Sequence, residues 1–170
     1  MPKEECNEEN LIIGRLEKES SKKTEILYNY YTQRIIKLKQ AIVNGERILA
    51  KPALLVAIID GIECNQIQQN KIELSKNLEN RYITILANYT KKSISERLTN
   101  ISMPFWHLKS DGFWFLEPPC PNAKNFNPSK KWLLDNIQYA RLDDDLWELL
   151  QDGSWRCKLR DFIIENKLLK

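Results

Sequence analysis

His107 is the only histidine in the chain, and the four cysteines lie far apart in its 170 residues, at Cys6, Cys64, Cys120 and Cys157. A structural zinc site takes four cysteine or histidine ligands, usually in closely spaced pairs. An HNH nuclease site needs several histidines. The sequence therefore excludes both kinds of site, and it predicts free thiols in a reducing cytoplasm rather than a disulfide scaffold.

The glycines and the acidic residues give as little support for catalysis as the histidine and the cysteines. With five glycines, the chain has no glycine-rich phosphate loop and no Gly-x-Ser-x-Gly nucleophile motif. Asp143, Asp144 and Asp145 are adjacent carboxylates that could hold magnesium. They also stand before an apolar run, where aspartate is typical of a helix N-cap, and we favour that interpretation. The sequence predicts a binding module and not an enzyme, with no cofactor and no metal.

Size and composition are those of one ordinary globular domain. The chain has 42% hydrophobic and 29% charged residues, and a domain usually has about 100–200 residues. No apolar run approaches the ~20 residues of a membrane-spanning helix, and residues 1–20 are acidic, unlike a signal peptide. We expect residues 1–20 to form an acidic appendage, residues 21–170 to form the domain, and the protein to have no membrane partner.

Positive charge is concentrated in local stretches, although the net charge is only +3. Residues 22–51 carry seven basic and two acidic residues, and residues 81–109 carry five basic and one acidic residue. Such stretches are typical of a polyanion-binding face, and also of solvated helix faces. The residues of one candidate phosphate-binding stripe are Arg81, Lys91, Lys92 and Arg97.

Apolar spacing predicts the first elements of the fold. Apolar residues within 26–42 repeat at helical spacing, which predicts an amphipathic helix that ends near Asn44-Gly45. A mostly apolar helix is expected over residues 52–61, with its proline in the first turn, where a missing N–H is tolerated. Residues 72–74 alternate between apolar and charged side chains like a short strand.

Residues 103–116 differ from the rest of the chain. Aromatic and leucine residues stand on both sides of an Asp111-Gly112 corner, which predicts a β-hairpin. A proline-rich irregular loop follows, and all five tryptophans are expected in the core because each lies in an apolar pattern. Gly153 is expected to end one of the remaining helices. The predicted N-caps of these helices are Ser75, Ser129, Asp143 and Ser154. The predicted fold class is mainly α, a single helix-rich α+β domain with one small antiparallel sheet.

Three stretches of the chain resemble one known family. AKPALLVAIID at residues 50–60, PFWHLKSDGFW at residues 104–114 and ARLDDDLWELLQD at residues 140–152 resemble the opening helix, the hairpin and a late segment of the DNA sulfur-binding domain. The resemblance extends from about residue 30 to the C-terminus. Such domains stand at the N-terminus of phosphorothioate-dependent restriction endonucleases, whose C-terminal part is an HNH nuclease. The resemblance implies a non-catalytic module that binds double-stranded DNA carrying phosphorothioate, in a restriction or defence context.

The resemblance also implies a set of site residues. Pro52 and Leu55 would form an apolar recess for the sulfur, and Lys51, His107 and Lys109 would contact phosphates. As alternating residues of a hairpin strand, His107 and Lys109 would share the face opposite the core. Contacts to base edges are what gives sequence preference. The corner residues expected to approach base edges are Ser110, Asp111 and Gly112.

The chain differs from the family in two respects. Ala50 stands where the family usually has histidine, so one polar group beside the expected recess is missing. The resemblance also ends where the nuclease of the family would begin, so we expect a free-standing recognition protein or one that serves a separate nuclease effector. The alternative is a protein-interaction subunit that keeps the fold without sulfur recognition. A carboxylate nuclease site at residues 143–145 is disfavoured, and the oligomeric state and flanking base preference are left open.

Overall fold

A computed structural model describes the chain over residues 5–92, 98–121 and 125–170, with side chains from residue 8. Within these ranges the chain forms seven α-helices and two antiparallel sheets of two strands each, so the prediction of a helix-rich α+β domain is confirmed. A 3₁₀ turn covers Leu108–Asp111 and a π-helical turn covers Ile164–Leu168. The other elements are α1 (Glu5–Ile36), β1 (Ile42–Val43), β2 (Glu46–Arg47), α2 (Ala50–Glu63), α3 (Lys76–Thr90), α4 (Ser102–His107), β3 (Trp114–Glu117), α5 (Lys130–Asn136), β4 (Tyr139–Leu142), α6 (Asp144–Gln151) and α7 (Gly153–Ile163).

α2 is the central element of the fold. Every residue of this helix is buried except Lys51, Asp60 and Glu63, as expected for a helix that is apolar on all sides. It packs against α3, α4, α6 and α7. Its proline lies in the first helical turn, as predicted. One charged residue of α2 joins the helix to α7, because Asp60 accepts hydrogen bonds from Arg160 at 2.6 and 3.2 Å.

α1 ends earlier than its apolar spacing predicts. The helix stops at Ile36, where the buried Lys167 ammonium donates to the Ile36 carbonyl at 3.0 Å. Carbonyl groups in the last turn of a helix have no intrahelical partner, so this contact stabilises the helix end. The prediction of a helix up to Asn44-Gly45 is wrong. These two residues have φ of +53° and +79° and form the tight turn between β1 and β2, which is the usual role of an Asn-Gly pair.

The hairpin predicted over residues 103–116 is also wrong. Residues 102–111 form α4 and the 3₁₀ turn, and Gly112 with φ of +86° begins the path into β3. Phe105, Trp106 and Leu108 are all buried, and two adjacent buried residues fit a helix better than an alternating strand. The true partner of β3 is β4, with Trp114 opposite Leu142. β4 was not predicted, because its partner lies about 25 residues away in the sequence.

The strand expected over residues 72–74 is reduced to one residue. Ile72 exchanges two backbone hydrogen bonds with Ala140 of β4, at 2.7 and 2.8 Å, and forms an isolated bridge there. Two serine caps are confirmed, since the Ser75 and Ser129 hydroxyls accept hydrogen bonds from the first turns of α3 and α5. Asp143 stands at the N-cap of α6 but its side chain does not cap the helix.

The last helix begins at a different cap from the predicted one. The Asp152 carboxylate accepts hydrogen bonds from the N–H groups of Ser154 and Trp155, at 2.9 and 3.1 Å. Asp152 is therefore the cap of α7, and Gly153 is its first residue rather than the end of the preceding helix. An aspartate is as good an N-cap as a serine, and Asp152 stands two residues before the predicted cap.

The tryptophans confirm the predicted core. Trp106 and Trp114 are buried, and the other three, Trp132, Trp147 and Trp155, are partly buried against the core. The appendage expected over residues 1–20 has no break from the domain, because α1 is continuous through residue 20. From residue 8 to residue 26 the helix is almost entirely exposed, and its packing begins at Leu27. The exact division of the chain stays a prediction. In the described residues, no helix is long and apolar enough to cross a bilayer.

Candidate nucleic-acid interface

One groove brings together three of the predicted site residues. It has a volume of about 770 Å³ and lies between the start of α2, α4 and the chain that follows α1. We call it the Ala50 groove, and its surface is mainly apolar. Three of its residues, Lys51, His107 and Ser110, are predicted site residues. The others are Lys39, Gln40, Ala41, Val43, Ile48, Ala50, Thr99, Met103 and Pro104.

Lys51 is held in place by an ion pair. Its ammonium lies 2.6 Å from the Asp111 carboxylate, and the two side chains are only 11% and 3% exposed. The second oxygen of Asp111 accepts a hydrogen bond from the Lys39 N–H at 3.1 Å. Much of the charge of Lys51 is therefore compensated, and its ammonium fixes the 3₁₀ turn against α2.

His107 ends α4 and faces the groove. Its Nε2 lies 2.8 Å from the Asn127 Oδ1, so an N–H at this position would donate to the amide oxygen. The Ser110 hydroxyl donates to the His107 carbonyl at 2.9 Å. The imidazole is half-buried and Ser110 is exposed, so both side chains can reach a ligand in the groove after small rotations.

Lys109 points away from the Ala50 groove. Its ammonium lies 3.3 Å from the centroid of the Trp106 ring, and this nitrogen is buried with no hydrogen-bond partner among the described residues. Burial lowers the pKa of Lys109, while the ring face attracts the ammonium. The expectation that His107 and Lys109 share one face is wrong, because the segment is helical and not a strand.

The predicted recess residues do not line the groove. Pro52 and Leu55 are both buried within the first turns of α2. The apolar residues that line the groove are Ala41, Val43, Ile48, Ala50, Met103 and Pro104. Sequence reasoning did not single out Met103 and Pro104, because residues 103–116 were interpreted as a hairpin. A proline within the first turn of a helix, as at the start of α2, was the available signal.

The corner residues have structural contacts that account for them. Asp111 is committed to its ion pair with Lys51. Gly112 has φ of +86°, a conformation that favours glycine, and the end of the Arg34 side chain lies beside it. Ser110 remains the exposed polar side chain of this corner. The predicted contact of these three residues with base edges stays a prediction.

Positive charge extends from the Ala50 groove in two directions. On one side, Lys39 and Ser110 also border a depression that carries Arg34 and Lys37. On the other side, Val43, Ile48 and Thr99 also line a second groove of about 430 Å³. We call this the Arg47 groove, and its cationic residues are Arg47, Lys91, Lys92 and Lys170. In the candidate phosphate-binding stripe, the Arg81 guanidinium donates a hydrogen bond to the Gln66 side chain. Arg97 lies outside the described residues.

The remaining reactive groups do not form a site. Asp143 accepts a hydrogen bond from the Tyr31 hydroxyl at 3.2 Å. Among the described residues, no cluster of three or more His, Cys, Asp or Glu side chains is arranged to hold a metal ion. Cys64, Cys120 and Cys157 are free thiols, and the side chain of Cys6 lies outside the described part of the chain.

The fold and the groove define a helix-rich domain with cations around one apolar groove, and this fold is found in solved structures. The sulfur-binding domain of ScoMcrA complexed with phosphorothioated DNA is similar, with a TM-score of 0.58 and 17% identity over 81% of this chain and 86% of that chain. A structure of the sulfur-binding and SRA domains of ScoMcrA complexed with phosphorothioated DNA has a TM-score of 0.60 and 17% identity over 79% of this chain and 41% of that chain. No known protein family profile and no curated protein matches by sequence. The fold implied by the sequence resemblance is confirmed.

Proposed function

We propose that this chain is a non-catalytic module that binds double-stranded DNA carrying phosphorothioate in its backbone, with the sulfur in the Ala50 groove. One observation carries the proposal. A mainly apolar groove bordered by cations lies in a fold shared with domains whose structures hold phosphorothioated DNA.

The chemistry of the groove suits a soft anion. Sulfur is larger and less strongly hydrated than the oxygen it replaces, and the group keeps its negative charge. Against apolar surface, an oxygen would lose its hydration without gaining a hydrogen bond. This costs about 1–3 kcal/mol, which corresponds to a preference for sulfur of roughly 10- to 100-fold.

The residues around the groove take different roles in this proposal. Ala50, Met103 and Pro104 contact the sulfur, and Pro52 and Leu55 support them from the layer beneath. Lys39, His107 and Ser110 lie where they can donate to the remaining oxygens of the backbone. Lys51 contributes less charge than the sequence suggests, because Asp111 compensates it. The proposal retains the predicted phosphate contacts of Lys51 and His107. Gly112 has a structural role in the turn.

The biological context follows from the same proposal. A module that binds modified DNA without a nuclease motif would deliver a separate nuclease effector to its target in a restriction or defence function. The chain would act in the cytoplasm, the compartment that its widely spaced cysteines indicate.

The test compares two short duplexes that differ in one phosphorothioate of defined stereochemistry, titrated by fluorescence anisotropy at two salt concentrations. We expect the modified duplex to bind at least about tenfold more tightly. Ala50→Phe should fill the groove and abolish this preference. Leu134→Phe places the same ring at a position that is 55% exposed on α5 and should keep it. Equal affinity of the unaltered protein for both duplexes would overturn sulfur recognition.

The second candidate is a protein-interaction subunit that keeps this fold without sulfur recognition. The ion pair of Lys51 with Asp111 favours it, because a cation beside the groove is already compensated. The same titration separates the two candidates. Absence of binding to either duplex over several flanking sequences would favour the interaction subunit, and magnesium-dependent cleavage by the pure chain would favour a nuclease.

A further inference from the structure

The β1–β2 hairpin is a small, preformed projection beside the Ala50 groove. Asn44 and Gly45 have φ of +53° and +79°, the combination of a tight two-residue turn that matches the twist of its strands. Ile42 pairs with Arg47 and Val43 pairs with Glu46. At its base the Ile48 N–H donates to the Ala41 carbonyl at 2.8 Å. The turn is therefore held in one conformation before any ligand binds.

The hairpin exposes side chains that a free surface does not favour. Ile42 is 68% exposed and Val43 is 53% exposed, and both strands are exposed along their whole length. Adjacent exposed apolar side chains, rimmed by polar residues, are typical of an interaction surface.

Cations flank the hairpin on two sides. Val43 and Ile48 line both the Ala50 groove and the Arg47 groove, so the hairpin lies between them. The Ala50 groove carries Lys39 on its side. The Arg47 groove carries four cations and the single carboxylate of Glu46 among its described residues. A projection with positive charge on both sides is complementary to a DNA groove, which has a phosphate backbone along each edge.

We infer that the β1–β2 hairpin enters the major groove of the bound DNA and determines base preference, with Asn44 contacting base edges and Ile42 contacting an apolar base surface. The major groove is about 12 Å wide and admits a two-stranded β-ribbon. An asparagine side chain can bond to the N6 and N7 atoms of adenine, and an apolar side chain can contact the thymine methyl group. The inference rests on the DNA-binding part of the proposed function, and it assigns base contact to the hairpin instead of residues 110–112.

The test for base contact is a binding selection. The library consists of duplexes with one phosphorothioate at a fixed position and randomised flanking base pairs, and the bound fraction is sequenced. Asn44→Gly removes the side chain and keeps the positive φ of the turn, and Ile42→Ser removes the apolar side chain from an exposed position. We expect each variant to lose about tenfold of preference at one base pair. The preference for sulfur over oxygen should be unchanged. Ser110→Ala, at the rival corner, should weaken binding to all sequences alike, because Ser110 donates to the backbone, and should leave base preference intact.

The test for the flanking cations is the salt dependence of binding. Lys91→Gln combined with Lys92→Gln should weaken binding to all sequences alike and reduce the slope of log affinity against log salt by about 2. Lys18→Gln combined with Lys131→Gln removes the same charge from α1 and α5, outside both grooves, and should leave the slope unchanged.

Each outcome of these tests bears on one proposal. An unaltered base preference in both hairpin variants, or a loss of preference in Ser110→Ala alone, overturns the hairpin assignment while sulfur recognition stands. Loss of base preference with no sulfur preference in the unaltered protein supports the hairpin and overturns the sulfur site. Binding without any base preference, or no binding to DNA, overturns the hairpin assignment as well.

Discussion

The Lys51 ammonium lies 2.6 Å from the Asp111 carboxylate, and the Asp111 side chain is only 3% exposed. The pair joins the first turn of α2 to the 3₁₀ turn that follows α4. These two elements border the Ala50 groove, so the ion pair fixes the relative position of its sides. Two residues that the sequence suggests as separate DNA contacts therefore act together as a structural link.

The first prediction concerns removal of this link. Asp111→Asn leaves the Lys51 ammonium buried without its counter-ion and should lower the free energy of unfolding by about 3 kcal/mol. Lys51→Met combined with Asp111→Leu removes both charges and should recover most of this loss. Urea unfolding of Lys51→Met, Asp111→Leu and their double variant gives the coupling energy. Equal losses in Asp111→Asn and in the double variant would show that the pair itself contributes little.

The second prediction concerns the alkaline limit of stability. Burial raises the pKa of Tyr31, with a further contribution from the Asp143 carboxylate, and burial raises the pKa of Tyr82. Both hydroxyls stay protonated in the folded chain at the pH, about 10, at which tyrosine in the unfolded chain ionises. The stabilisation is therefore complete below this pH and is lost as the pH rises above it, by about 1.4 kcal/mol per pH unit for each tyrosine.

The measurement is urea unfolding at a series of pH values on either side of pH ~10. Tyr31→Phe combined with Tyr82→Phe should flatten the alkaline decline. The Tyr82 hydroxyl donates to the Thr99 carbonyl at 2.8 Å, so the variant should also be less stable at neutral pH. A decline of the same steepness in the double variant would contradict the assignment to these tyrosines.

The third prediction compares Lys109, which the resemblance implies as a phosphate contact, with Lys39, which it does not. The Lys109 ammonium lies 3.3 Å from the Trp106 ring centroid and is buried, whereas Lys39 is exposed at the groove. Lys39→Met should therefore reduce the salt slope of DNA binding by about 1, and Lys109→Met should leave it unchanged. Titrations over a salt series measure both slopes. A reduced slope in Lys109→Met would show that the Lys109 ammonium contacts the phosphate backbone.

Local signals were sufficient for the features that depend on a few neighbouring residues. Ser75 and Ser129 cap their helices as predicted, because the bond forms within three residues. The apolar run of α2 predicts a buried helix by composition alone. The mainly helical class follows from several such signals together.

The features that depend on distant residues could not be predicted in the same way. β3 pairs with β4, about 25 residues further along the chain. The Asp-Gly pair that suggested a local hairpin stands instead at the end of the 3₁₀ turn. The true hairpin has an Asn-Gly turn, and its signal was masked by apolar residues that continue the periodicity of α1. The recess residues Pro52 and Leu55, which the resemblance implies, do not line the Ala50 groove, and their contact with sulfur stays a prediction.

The last prediction concerns the exposed half of α1. From residue 8 to residue 26 the helix makes almost no buried contacts, and Leu11, Ile12, Ile13 and Leu16 are 52–61% exposed. Helices in proteins gain most of their stability from packing of an apolar face. Deletion of residues 1–20 should therefore change the free energy of unfolding by less than about 1 kcal/mol and leave the proposed preference for phosphorothioated DNA intact.

Urea unfolding and circular dichroism of the truncated and full chains, at several protein concentrations, measure this effect. The deletion removes half of α1, so the helical signal should fall while the unfolding midpoint stays constant. A midpoint that falls on truncation, and that depends on concentration only in the full chain, would contradict an independent appendage. It would show that the exposed leucine and isoleucine side chains are buried against a second copy, because only association makes stability depend on concentration.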